Sequence, residues 1–172
     1  MGRTKVIPDA EIYQLIRDLL AQGGDKAVAF SSVGRACGLA PATLVQRYGT
    51  RDGMVRKALL EAWDNLDALI ADLHETCEIS VKGAIQILKG LSADSSATDA
   101  SLRAVDLRDP GTRARAIAWR ESVEYALAAR IGGQSKGRQP AALLFAAWQG
   151  QTMWQSAGNE RLKLKDAVKR FS

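Results

Sequence analysis

Apolar residues recur on a 3.6-residue period along most of the chain, and no stretch alternates apolar with polar residues as a half-buried strand would. Ile12, Leu15, Ile16, Leu19 and Leu20 predict a helix from Asp9 to Gln22, stopped by Gly23-Gly24. Phe30, Val33, Gly34 and Cys37 fall at i, i+3, i+4 and i+7 and predict a second, from Phe30 to Cys37. A third runs from Pro41 to Tyr48, with proline at the first helical position, where its missing N–H costs nothing. Between these two, Gly38-Leu39-Ala40 leaves room only for a sharp turn. Gly49-Thr50 then turn and cap a long helix, about Arg51 to Thr76. Its stripe is Val55, Ala58, Leu59, Ala62, Leu66, Leu69, Ile70 and Leu73, with Trp63 adjoining. Gly53 stands where a glutamate would complete a capping box, so only the forward half, from Thr50, is expected.

The later chain continues the helical pattern. Val81, Ala84, Ile85, Leu88 and Leu91 predict a fifth helix, Ser92 to Thr98 a small-residue loop, and Asp99 to Leu107 a short sixth helix. Asp109-Pro110 start a seventh, with Trp119, Val123, Ala126, Leu127 and Ile131 on one face. Gly132 to Gln139 read as a flexible loop, Pro140 to Ser156 as an eighth helix, and the segment after Gly158-Asn159 as a final amphipathic one. The class is all-α, with about nine helices.

Two short helices across a glycine turn form a helix-turn-helix. In the second of them Leu44 and Tyr48 point one way, while Ala42, Thr43, Gln46 and Arg47 lie on other faces, free to meet something outside the fold. Here the segment resembles the DNA-binding domain of the TetR family of transcriptional regulators. Val33, Gly34, Cys37, Gly38, Leu39, Ala42, Thr43, Leu44, Tyr48, Thr50, Arg51 and Asp52 fit the family pattern in unbroken register. Ala40 stands where a hydroxyl cap is usual, Val45 where a tyrosine is usual, and Arg47 where histidine or tyrosine is common.

The resemblance implies a three-helix helix-turn-helix DNA-binding domain, residues 1–53, and a helical-bundle domain for ligand binding and dimerisation, residues 54–172. It implies a homodimeric repressor on a palindromic double-stranded DNA operator, released by a small hydrophobic or aromatic effector. Thr43, Gln46 and Arg47, with Ala42 against a thymine methyl, are the candidates for base or groove contact; Ser31, Ser32, Tyr48 and Arg51 are those for phosphates. Trp63, Leu66, Ile85, Leu88, Trp119, Val123, Tyr125, Phe145 and Trp148 are the candidate effector walls, or plain core.

The segment AALLFAAWQGQTMWQS is too apolar for one solvated side. Ala141, Leu144, Phe145, Trp148 and Thr152 can face the body, while Leu143, Ala147, Gly150 and Trp154 form a second stripe. That stripe needs either burial inside a monomer or a second copy of the chain. By resemblance, it forms a dimer interface together with Leu164 and Val168 of the last helix.

Charge is asymmetric. Residues 1–60 carry nine Lys/Arg against five acids, an excess of +4, while the remainder of the chain carries +1. A basic head suits a phosphate backbone. The arm from Gly2 to Lys5 is either a DNA-seeking segment or a frayed end. No apolar run approaches the ~20 residues that cross a bilayer, and the start lacks a secretory pattern, so a cytoplasmic protein without membrane association is expected.

Catalytic chemistry finds little footing. Cys37 and Cys77 lie on different predicted helices, so no disulfide is expected, and His74 is the only histidine. Gly132 to Gly137 lacks the spacing of a phosphate loop, and Glu121 and Glu124 lack the second Glu-x-x-His of a di-metal bundle. No enzyme, cofactor or metal is expected. The alternative is a dimeric helical adaptor whose head binds a protein partner.

Overall fold

A computed structural model describes residues 7–98, 108–155 and 158. The arm from Gly2 to Lys5, the expected sixth helix, and the final helix with Leu164 and Val168 lie outside them. Seven helices of eight residues or more appear among the described residues: α1 (Asp9–Gly23), α2 (Phe30–Cys37), α3 (Pro41–Tyr48), α4 (Arg51–Thr76), α5 (Val81–Ser92), α6 (Pro110–Ile131) and α7 (Arg138–Gln155). Two of the nine expected fall in the stretches outside that description. Single turns at Asp25–Ala27, Ser95–Thr98 and Gly133–Lys136 complete the order, and the described residues contain no strand. The chain divides into two compact units, with breaks at Trp63/Asp64 in α4, after Ala100, and at Arg113/Ala114 in α6.

The first unit is built on one apolar cluster. Ile12, Ile16 and Leu20 of α1, Val33 and Cys37 of α2, Leu44 and Tyr48 of α3, and Met54, Val55, Ala58 and Leu59 of α4 close it, with Ile7 and Val28 from the flanking segments. Each large aliphatic chain removed from water contributes ~1.5 to 3 kcal/mol. The α2–α3 turn is shaped by two glycines. Gly38 takes a left-handed φ of 76°, and its N–H and that of Leu39 both reach the Gly34 carbonyl, at 2.8 and 3.0 Å. A Cβ on Gly34 would lie 2.6 Å from the Leu39 carbonyl oxygen. Only hydrogen fits there.

Arg17 is buried in this unit and ties α1 to α4. Its Nη1 donates to the Ala58 carbonyl at 3.0 Å and to Glu61 Oε2 at 2.5 Å, and its Nη2 donates to Gln14 at 2.7 Å. As expected, Thr50 supplies the forward half of a capping box, accepting from the Gly53 amide at 3.0 Å. Asp109 caps α6 by accepting from the Gly111 and Thr112 amides at 2.9 and 3.1 Å. The Thr112 amide first, and then Arg56 at 2.8 Å, hold its carboxyl below the ordinary range.

The second unit buries Leu66, Ile70, Ala84, Ile87, Leu88, Leu91, Trp119, Val123, Leu127, Leu144, Phe145 and Trp148. On α5 the inward stripe is Ala84, Ile87, Leu88 and Leu91, whereas Ile85, expected on that face, is only half-buried. Ile85 sits about 100° round the helix from Ala84, so one turn cannot bury both Ile85 and Ile87 equally. The expected loop from Gly132 to Gln139 is mostly a helical turn, and α7 starts at Arg138. Pro140 is tolerated there because amides of the first turn have no intrahelical partner.

The turn after α4 is clamped by Arg130, which is 4% exposed. Its Nη2 donates to the His74 and Cys77 carbonyls, each at 2.7 Å, its Nε to the Glu78 carbonyl at 3.1 Å, and its Nη1 to the Ala126 carbonyl at 2.9 Å. A guanidinium against terminal carbonyls suits the negative end of the helix dipole. Nη1 also meets His74 Nδ1 at 3.1 Å; arginine can only donate, so that ring nitrogen accepts. Across the same turn, a Cβ on Gly83 would fall 1.9 Å from the Glu78 carbonyl oxygen.

Candidate nucleic-acid interface

The chemistry of α3 divides by face. Leu44 and Tyr48 enter the core, and Ala42, Thr43, Val45 and Gln46 are exposed on the remainder of the helix. Ala40, at the N-cap, provides no side-chain bond, so the α3 amides of the first turn are uncapped by that residue. Pro41 reduces that deficit by one. A short polar surface of Thr43 and Gln46 flanked by the methyl groups of Ala42 and Val45 can offer hydrogen bonds to base edges and apolar contact to thymine methyls.

Tyr48 is placed differently from its phosphate assignment. It is 7% exposed, and its hydroxyl donates to Asp9 Oδ1 at the start of α1. Burial first, and then that hydrogen bond, raise its pKa above the ordinary phenol value of 10.0. Arg47 reaches the same carboxylate oxygen through Nε at 2.9 Å and donates through Nη1 to the Ile7 carbonyl at 2.9 Å. Both side chains thus brace α3 against the start of α1.

Arg51 is also committed within the fold. Its Nε donates to the Val28 carbonyl at 3.0 Å, its Nη2 to the Asp25 carbonyl and to Asp25 Oδ1, the latter at 2.6 Å, and its Nη1 to Asp52 at 2.9 Å. Ser32 Oγ accepts from the Ala29 amide at 2.9 Å and donates to the Ala27 carbonyl at 2.8 Å, holding the entry to α2. Ser31 is exposed. Arg17, Arg47, Arg51 and Arg56 all have carboxylate partners. Lys26, Arg35 and Lys57 are exposed and have no ion pair among the described residues, Lys57 lying over the Tyr48 ring at 5.6 Å. Sequence reasoning counted the basic excess without finding which cations were free, because pairing partners lie far away in the chain.

In the second unit the candidate effector walls are largely solid core. Leu66, Leu88, Trp119, Val123, Phe145 and Trp148 are each at most 2% exposed. The Trp119, Phe145 and Trp148 rings sit 5.7 to 6.5 Å apart, and Trp148 Nε1 donates to Ser92 Oγ at 2.8 Å. Trp63 is buried in the first unit. Tyr125, by contrast, is 55% exposed and lines two open grooves. One, of 580 Å³, runs along Asp67, Ile70, Ala71, His74, Ala118, Glu121, Ser122 and Tyr125. The outer stripe of α7 points to solvent: Leu143, Met153 and Trp154 are exposed, with Gly150 beside them and Ala147 half-buried.

Among the described residues no helix is long and apolar enough to cross a membrane, and no cluster of His, Cys, Asp and Glu could hold a metal ion. No family model and no curated protein matches the sequence. Solved structures do. The TetR-family transcriptional regulator PfmR from Thermus thermophilus superposes with a TM-score of 0.65 at 14% identity, covering 93% of each chain. A protein from Saccharomonospora viridis, described as a transcriptional regulator and solved with choline, gives 0.70 at 14% identity, over 95% of this chain and 92% of the other. Another described regulator, from Streptomyces coelicolor, gives 0.67 at 17% identity, over 95% and 96%. The fold is that of the TetR-type regulators.

Proposed function

We propose that this chain is a TetR-family transcriptional regulator: a homodimer that represses from a palindromic DNA operator and is released by a small-molecule effector. The observation that carries the DNA-binding part is the exposed, unbonded surface of α3, with Ala42, Thr43, Val45 and Gln46 outward and Leu44 and Tyr48 anchored in the core. Thr43 and Gln46 are assigned to base edges, Ala42 to a thymine methyl, and Ser31 with Arg35, Lys26 and Lys57 to phosphates. Arg47 and Arg51 position the helix and the approach to α2.

Dimerisation is supported by the outer stripe of α7, where Leu143, Ala147, Gly150 and Trp154 share a face. Two heads about 34 Å apart would enter successive major grooves. Effector control is supported by the grooves of the second unit and, by likeness, by the choline-bound neighbour.

The test is selection of fragmented genomic DNA on the purified protein at physiological salt, with Gln46→Ala in parallel. Recovery of a short palindrome by the wild type, with altered preference in the variant, is the expected result. Each good base contact contributes ~1 to 3 kcal/mol of discrimination. Equal recovery of all fragments, or of none, sinks the operator reading and favours an adaptor whose head meets protein.

A further inference from the structure

We propose that the groove between α4 and α6 in the second unit, bounded by Asp67, Ile70, His74, Glu121 and Tyr125, binds an aromatic or alkyl-substituted organic cation. This deepens the effector part of the reading above and rests on it only for the consequence of binding, not for binding itself.

Space comes first. The tryptophan and phenylalanine core is closed, whereas this groove offers 580 Å³ along the outer sides of α4 and α6. Ile70, Ala71 and Ala118 give it an apolar wall. The His74 and Tyr125 rings meet edge to face there at 5.8 Å, and Tyr125 keeps 55% of its surface exposed. An exposed aromatic ring over an apolar wall favours a bulky, weakly hydrated cation above a small hydrated one.

Charge supplies the sign. Glu121 lies at the lip shared with the adjoining groove and has no ion pair among the described residues. Asp67 is only half answered, because Arg115 Nη2 divides itself between Asp64 at 2.5 Å and Asp67 at 2.8 Å. Burial is the largest influence on the Asp67 carboxyl and raises it above the ordinary carboxylate range, against the pull of Arg115. Glu124 is neutralised by Arg120 at 2.6 Å, and Arg138 lines only the adjoining groove. The lining of the first groove therefore has two carboxylates and no cation of its own. An anion would meet repulsion there, and a neutral ligand would leave Glu121 unanswered and Asp67 with only its share of Arg115.

The test is isothermal titration of the full chain with benzyltrimethylammonium, alongside benzyl alcohol and benzoate. The cation is expected to bind and the other two to bind at least tenfold more weakly. Glu121→Gln should weaken the cation about tenfold and Tyr125→Leu about three- to tenfold, with unchanged circular dichroism, since both side chains are exposed. Equal binding of benzyl alcohol, unaltered affinity in both variants, or no binding of the cation at millimolar concentration would overturn the assignment. Operator binding is read separately. Cation binding that leaves operator affinity unchanged would keep the groove and sink the effector role. Operator release by another compound, without cation binding, would do the reverse.

Discussion

Asp9, the first residue of α1, and Tyr48, the last of α3, are joined by a hydrogen bond from the phenol to the carboxylate, and Arg47 closes on the same oxygen at 2.9 Å. The orientation of α3 against the start of α1 thus depends on a carboxylate held from two sides. Tyr48→Phe keeps the ring in the core and removes only the hydroxyl, so the loss should be about 1 kcal/mol, or roughly 2 to 4 °C in Tm. The same group sets an alkaline limit. Its folded pKa is raised above the unfolded value of 10.0, so its contribution is complete below pH 10 and is lost as pH rises beyond it, when the unfolded chain ionises first. Thermal melts followed from pH 8 to 11 should fall less steeply in Tyr48→Phe than in the wild type. Equal slopes would show that the buried phenol does not couple to folding.

Removal of free and bound cations should have different signatures. Arg35→Ala or Lys57→Ala should flatten the dependence of log affinity on log salt by about 1 for each phosphate left without its cation. Arg51→Ala instead strips the Val28 carbonyl and the Asp25 carboxylate of their arginine donor and should lower the melting temperature of the protein. Fluorescence anisotropy across a salt series, with melts of the same variants, separates the two. A flattened slope in a fully stable Arg51→Ala would return that residue to the DNA surface.

Arg130 is the strongest single prediction for the second unit. Replacing it by methionine keeps much of the volume and takes from the His74 and Cys77 carbonyls their arginine donor, at ~1 to 3 kcal/mol for each that water cannot reach, while the Glu78 carbonyl keeps the Ser80 amide at 2.9 Å. A total loss of at least about 2 kcal/mol is expected, read as a lower urea midpoint with unchanged slope. Arg130→Lys should recover only part, since three donors replace a five-donor fork. Full recovery by lysine would mean that charge alone matters at the end of α4.

The outer face of α7 makes a prediction about assembly. Leu143→Glu with Trp154→Ser should leave the helical signal intact and shift the sedimentation of the protein to that of a monomer, because both side chains already face solvent in the single chain. On the proposed function, operator affinity should fall with it, since a single head would contact one half-site. A double variant that sediments as a dimer would place the interface elsewhere.

The helices of the first unit were legible because their boundaries are local. The bounds of α2, α3 and α4 coincide with those expected from the stop at Gly38, the start at Pro41 and the turn at Gly49-Thr50, each a property of a residue's own backbone. The inward faces of α1 and α7 followed equally from periodicity. On α5 a second isoleucine near the stripe made the face ambiguous, and packing chose Ile87 over Ile85.

What the sequence determined by itself was therefore an all-helical chain with a helix-turn-helix near its start, because breaks and stripes depend on residues within a turn or two of each other. Tertiary structure decided which cations are free and where space is left. Tyr48 meets Asp9 across 39 positions, Arg51 meets Val28 across 23, and Arg130 meets His74 across 56. Of the two readings open for Trp119, Phe145 and Trp148, effector wall or plain core, their rings pack on one another as core, and space is left in the groove beside Tyr125. Long side chains choose partners by distance in space, and spacing along the chain does not carry that distance.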